Sequence, residues 1–144
     1  MKKHFICKVC GYVALDGKTD KCPVCGKSGV FEEKEDVFKE GGEVLSEAEK
    51  KHVPKLSVKK DCQLIDGSVA VRAVIGDIVH PMQAEHLILE VTFYLDNQYL
   101  SITKLSAQSL PAAVALVAGG KGAKAQVIAY CNLHGRWFNE IELN

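Results

Sequence analysis

Residues 123–141, AKAQVIAYCNLHGRWFNEI, read as two strand-like runs, Ala123–Cys131 and Arg136–Ile141, joined by a tight turn at CNLHG. Val, Ile, Tyr, Trp and Phe suit half-buried strands, and Asn132 and Gly135 are residues that such a turn wants. The same turn carries Cys131 and His134. A stretch that argues for a β fold thus also places a thiol and an imidazole, both capable metal ligands, beside a strand end.

Outward from this stretch the pattern repeats. From Val53 onward, short apolar or alternating runs cover Ser57–Ile65, Ser68–Val74, His86–Leu95 and Tyr99–Leu105. Asp66-Gly67 and Asp96-Asn97 lie between them as hairpin turn pairs. Leu110–Ala118 is ambiguous, Ala-rich enough for a helix yet short and closed by Gly119-Gly120. Several short strands at regular spacing predict a mainly β sandwich or barrel.

Upstream, residues 32–52 are strongly charged and interrupted by Gly41-Gly42, which reads as a solvated linker. Ser46 and Glu49 have the spacing of a capping box, predicting a short helix over SEAEKKH. Residues 1–30 are rich in cysteine and glycine and too poor in aliphatic residues to fold without a staple. Cys7-Lys-Val-Cys10-Gly and Cys22-Pro-Val-Cys25-Gly, with eleven residues between them, supply that staple as two knuckles. Four thiolates at this spacing close a tetrahedral site that suits zinc or a single iron. The organisation expected is a four-cysteine module over 1–31, a charged linker over 32–45 and a second metal domain over 46–144.

Eighteen basic and eighteen acidic residues cancel, ten of each in residues 1–51 and eight of each in 52–144. Neither part is a basic footprint for nucleic acid. The N-terminus lacks a secretory apolar run, and Leu110–Ala118 falls far below the ~20 residues of a spanning helix. These features predict a cytoplasmic chain, with no membrane or nucleic-acid partner. In that compartment six cysteines point to metals before disulfides.

Four of the five histidines fall in three short motifs: His52 in KKHVP, His80 and His86 in HPMQAEH, and His134 with Cys131 in CNLHG. Four nitrogens and one sulfur exceed the set that structural zinc takes, and they suit a five-coordinate iron with one open position. Pro81 argues for a loop entering a strand, with His86 on the strand. Pro54 keeps the chain extended after His52. Each ligand is then expected at a loop or strand end, converging at one mouth of a sandwich.

KHVP, HPMxxEH and CNLHG, in this order, resemble the superoxide reductases of the desulfoferrodoxin and neelaredoxin family over residues 46–144. The resemblance implies an immunoglobulin-like β-sandwich and a mononuclear iron with four equatorial imidazoles and an axial Cys131 thiolate. It also implies one-electron reduction of superoxide to hydrogen peroxide, a rubredoxin-type electron donor and a homodimer or higher homo-oligomer. Lys51 matches the family's lysine beside the open iron position. CxxCGY with CPxCG resembles rubredoxin and the short-loop module of rubrerythrins, which implies an electron-transfer iron at Cys7, Cys10, Cys22 and Cys25; a zinc ribbon fits the short loop equally.

Two departures stand out. The usual desulfoferrodoxin module has an adjacent second cysteine pair, whereas Pro23 and Val24 intervene here. Many relatives place a glutamate two residues before the first histidine; here that position is Lys50, with Glu49 one residue off. The expectation is an oxidised iron that lacks a glutamate ligand or gains one only through loop rearrangement. The rival reading is a non-enzymatic iron electron carrier or redox sensor. Cys62 reads as a half-buried strand thiol, and one of Trp137 and Phe138 as core.

Overall fold

The computed structural model describes residues 2–17, 19–60, 64–118 and 122–143; Cys62 lies outside them. In chain order the elements are β1 (Lys3–Cys7), β2 (Val13–Ala14), β3 (Phe31–Glu35), β4 (Lys39–Glu40), α1 (Glu47–His52), β5 (Pro54–Lys60), β6 (Ser68–Ile75), β7 (Ile88–Leu95), β8 (Gln98–Lys104), β9 (Ala112–Ala118), β10 (Lys124–Cys131) and β11 (Gly135–Glu142). They form a small sheet β2-β1-β3 and two facing sheets, β4-β11-β10-β7-β8 and β5-β6-β9. The second domain is the expected β-sandwich. Within Leu110–Ala118, residues Ala112–Ala118 form strand β9: Ala113, Ala115 and Val117 are buried while Val114 and Leu116 face out, the period-two pattern of a one-sided strand.

The sandwich core is mainly aliphatic. Val71, Ile75, Ile88, Val91, Phe93 and Val127 are all wholly buried within it. Each such side chain contributes roughly 1.5–3 kcal/mol. Asp96 and Asn97 both take positive φ, 48° and 67°, as a two-residue hairpin turn between β7 and β8 requires.

β7 and β10 are buried on both faces, although sheets of this kind often leave one face wet. The reason is the N-terminal module, which covers their outer side. Tyr12 stacks on Tyr94 at 5.9 Å, the Tyr94 hydroxyl donates to the Val13 carbonyl at 2.6 Å, and Ile128 joins the module's apolar cluster. Arg136 donates to the Gly11 carbonyl at 3.2 Å. Gly11 has φ +83°, the left-handed region that favours glycine, and a Cβ there would push aside the Arg136 guanidinium 2.9 Å away.

The charged stretch after the module is more ordered than a solvated linker. β3 pairs along β1, and β4 pairs in parallel with β11, opposing Lys39 to Trp137 and Glu40 to Phe138. Phe38 anchors this segment by stacking on Phe138 at 4.9 Å. The capping box forms as the sequence predicts. Ser46 accepts from the Glu49 amide at 3.2 Å, and the Glu49 carboxylate accepts from the Ser46 amide at 2.8 Å.

Strand register delivers the site. Pro54 opposes Ile75, and Cys131 opposes both Ile88 and Gly135. The α1–β5 junction, the β6–β7 connection and the β10–β11 turn therefore open at one end of the sandwich.

Candidate metal centre

Four imidazoles meet at that end. Ring centroids are 4.9 Å apart for His52–His80, 4.6 Å for His80–His86, 5.1 Å for His86–His134 and 4.8 Å for His134–His52. The His52–His86 diagonal is 6.4 Å. Four near-equal sides with a longer diagonal make a square of rings, His52 opposite His86. Cys131, wholly buried, brings its sulfur within 3.6 Å of His134 Nδ1. Donor atoms of His52, His80, His86 and Cys131 all lie within 4.8 Å of one another.

The local sequence explains each placement. His52 is the last residue of α1, and its Nδ1 donates to the Ala48 carbonyl one turn back at 2.7 Å. His80 Nδ1 donates to the Pro81 carbonyl at 2.7 Å. Carbonyls only accept, so both rings carry their proton on Nδ1 and turn a bare Nε2 inward. His86 stands in the turn before β7, bridged to Gln83, rather than on the strand as Pro81 suggested. The chain needs that extra turn to carry two histidines across the mouth before β7 begins.

Nε2 of His52, His80 and His86 is buried without a hydrogen-bond partner in all three cases. A buried polar atom left unpaired costs about 1–3 kcal/mol, and three such atoms converging on one point fit a cation. Burial above all, and then the three neighbouring rings, hold His80 down to a pKa of about 4 despite the favourable Pro81 carbonyl. His52 is depressed chiefly by burial as well. Neutral imidazoles and a buried thiol are the chemistry of a borderline transition metal, and the set fits a single iron.

Three supporting residues were not legible as such. Gly76 lies under the end of α1: a Cβ would stand 2.5 Å from the Lys50 carbonyl oxygen, which accepts from the Ile78 amide at 3.0 Å. Asn132 reads in sequence as a turn residue only. Its Oδ1 accepts from Leu87 N and its Nδ2 donates to the Glu85 carbonyl, each at 3.1 Å, which locks the CNLHG turn to the His86 segment. Trp137 stacks on His52, with centroids 4.9 Å apart and planes 18° from parallel. The Glu49 carboxylate is committed to the Ser46 and Gly42 amides. Lys51 is exposed on the last turn of α1, one residue before His52.

At the other end of the chain, Cys7 and Cys25 sulfurs are 3.7 Å apart and those of Cys10 and Cys22 are 3.6 Å apart. A tetrahedron with metal–sulfur bonds of about 2.3 Å has edges of roughly 3.8 Å. Burial disfavours a thiolate at Cys7, but the Cys10 and Val9 amides and neighbouring thiols outweigh it and bring its pKa to about 7. Burial and the adjacent sulfurs push Cys10 up to about 12. Four thiolates can coexist here only around a cation, and the group fits iron or zinc. Gly11 and Gly26, at φ +83° and +77°, close the knuckles as expected.

A β-sandwich with four imidazoles and a thiolate gathered at one mouth defines a mononuclear non-haem metal protein. The desulfoferrodoxin family model matches residues 44–140, and the chain belongs to that family. It is 31% identical over 103 residues to a superoxide reductase of Pyrococcus abyssi, covering 65% of this chain and 87% of that protein. A superoxide reductase (neelaredoxin) structure from Ignicoccus hospitalis superposes with TM-score 0.62 at 24% identity, over 76% of this chain and 95% of that one. The Treponema pallidum superoxide reductase structure matches 96% of this chain and 98% of its own with TM-score 0.57 at 21% identity, a likeness of fold that includes the N-terminal module.

Proposed function

We propose that this chain is a superoxide reductase whose iron is held by Nε2 of His52, His80 and His86, Nδ1 of His134 and the Cys131 sulfur. The observation that carries the reading is the square of imidazoles with three orphaned, inward Nε2 atoms and a buried thiol beside it. When bound, iron supplies the one-electron chemistry that turns superoxide and two protons into hydrogen peroxide, an electron from a rubredoxin-type carrier restoring the reduced metal.

The chain's own groups divide the remaining work. The neutral imidazoles hold a divalent ion without adding charge, and the buried Cys131 thiolate is the one anionic donor. Lys51 supplies a cation near the mouth, drawing in the small anion and offering a hydrogen-bond donor. The net charge of the chain is zero, so such attraction has to be local. Glu49 stays on the capping box, leaving the oxidised centre without a carboxylate ligand. The four-cysteine site, over residues 1–31, holds iron or zinc, and an iron there would make it a second redox group.

The test is anaerobic iron loading followed by pulse-generated superoxide. Fast oxidation of the ferrous protein with one peroxide released per iron is expected, slowed in Lys51→Ala at low salt. Iron that oxidises no faster than it does with dioxygen would move the chain to the carrier or sensor class.

A further inference from the structure

The segment between the two domains brings a charge to the edge of the histidine centre. β4 pairs in parallel with β11 so that Lys39 opposes Trp137, and Lys39 Nζ stands over the indole, 5.0 Å from its centroid. The same indole is 5% exposed and stacks on His52. Its N–H donates to the backbone carbonyl of His134 at 3.1 Å. One side chain thus touches two adjacent corners of the imidazole square, one by ring stacking and one through the turn that carries it. Lys39 is exposed and makes no ion pair among the described residues.

From this geometry we infer that Trp137 is a positioning residue of the iron centre, and that Lys39, through the stack Lys39–Trp137–His52, biases the centre toward its reduced state. The inference rests on the reading that His52 and His134 hold iron. Its physics is simple. A metal site that gains an electron loses a unit of positive charge, so a nearby cation favours the reduced form. The indole face attracts the ammonium and excludes water between it and the imidazole, which keeps the local dielectric low. Because Lys39 faces solvent, salt must weaken its influence. The interdomain segment then acts as part of the iron's environment as well as a tether.

Full-length Lys39→Met, Trp137→Phe and Trp137→Leu proteins, with iron in the histidine centre and zinc in the four-cysteine site, test it, with midpoint potential, the thiolate-to-iron absorption band and iron loss to a chelator as readouts. Lys39→Met should lower the potential at low salt, with an unchanged thiolate band, and the difference from wild type should shrink as salt is added. Trp137→Leu should weaken iron retention roughly 10–100-fold, and Trp137→Phe, which keeps a ring on His52, should recover part of it. An unshifted potential in Lys39→Met with the band intact overturns the role of Lys39. Wild-type iron retention in Trp137→Leu overturns that of Trp137. Wild-type protein that takes up iron without a thiolate band removes the underlying assignment of the centre, and this inference with it.

Discussion

The four-cysteine site takes its donors from residues 7–25, whereas the histidine centre takes its donors from residues 52–134. The first is assembled by two local knuckles, each closed by a glycine at positive φ and an amide turning back to the first cysteine's carbonyl. The second is assembled by register: three chain segments distant in sequence share one end of a sandwich because their strands pair. The difference teaches where each is vulnerable. A local site fails with its own ligands, while a site made by register also fails when a remote contact slips.

The largest effect expected is on ligand removal. Cys131→Ser or His86→Ala should abolish superoxide reduction and empty the histidine centre, with the metal of the four-cysteine site retained; metal analysis and activity together check this. Conversely, Cys10→Ser with Cys25→Ser should empty the first site and leave the thiolate-to-iron band that arises from Cys131 in place. Loss of both metals from either variant would break the comparison, because it would make the two sites one cooperative unit.

Next comes a remote contact. Gly76→Ala puts a Cβ against the Lys50 carbonyl and must displace the end of α1 that carries His52. Overpacking of this kind costs about 1–3 kcal/mol. Urea midpoints should fall, and iron should be lost preferentially from the histidine centre. An unaffected iron content would mean that α1 adjusts freely.

The metal-free protein should then show a pH signature. His80 has a pKa of about 4 in the folded chain, held down by burial, against an ordinary 6.5. The unfolded state therefore binds the proton first, and stability falls as pH drops from 6.5 towards 4. Denaturation midpoints across that window, compared with His80→Gln, check the sign. The smallest effect belongs to Glu49→Ala. It should cost little stability through the lost cap and leave the absorption of the oxidised iron unchanged. A shifted spectrum would show that the carboxylate leaves its cap for the metal.

The runs read as strands over Ser68–Val74 and Tyr99–Leu105 and around CNLHG match β6, β8, β10 and β11, and were legible because β-branched and aromatic composition and turn chemistry are local. Leu110–Ala118 was not. Alanine suits either element, and only pairing with β6 chose strand. His86 was misplaced onto β7 because a sequence does not say how many residues a loop needs to cross a sandwich mouth. The continuous burial of β7 and β10 was also hidden, since it depends on the module packed across them.

By itself the sequence named the candidate donors of both sites, since ligand chemistry resides in residue types and short spacings. It also determined the capping box that ties up Glu49, a contact three residues long. Only the tertiary structure decided that His52, His80, His86 and His134 form a square, that Gly76 must lack a side chain, and that Lys39 stands over the tryptophan stacked on His52. Those contacts join segments whose proximity is set by strand register and sheet packing, free-energy terms that no local pattern of residues encodes.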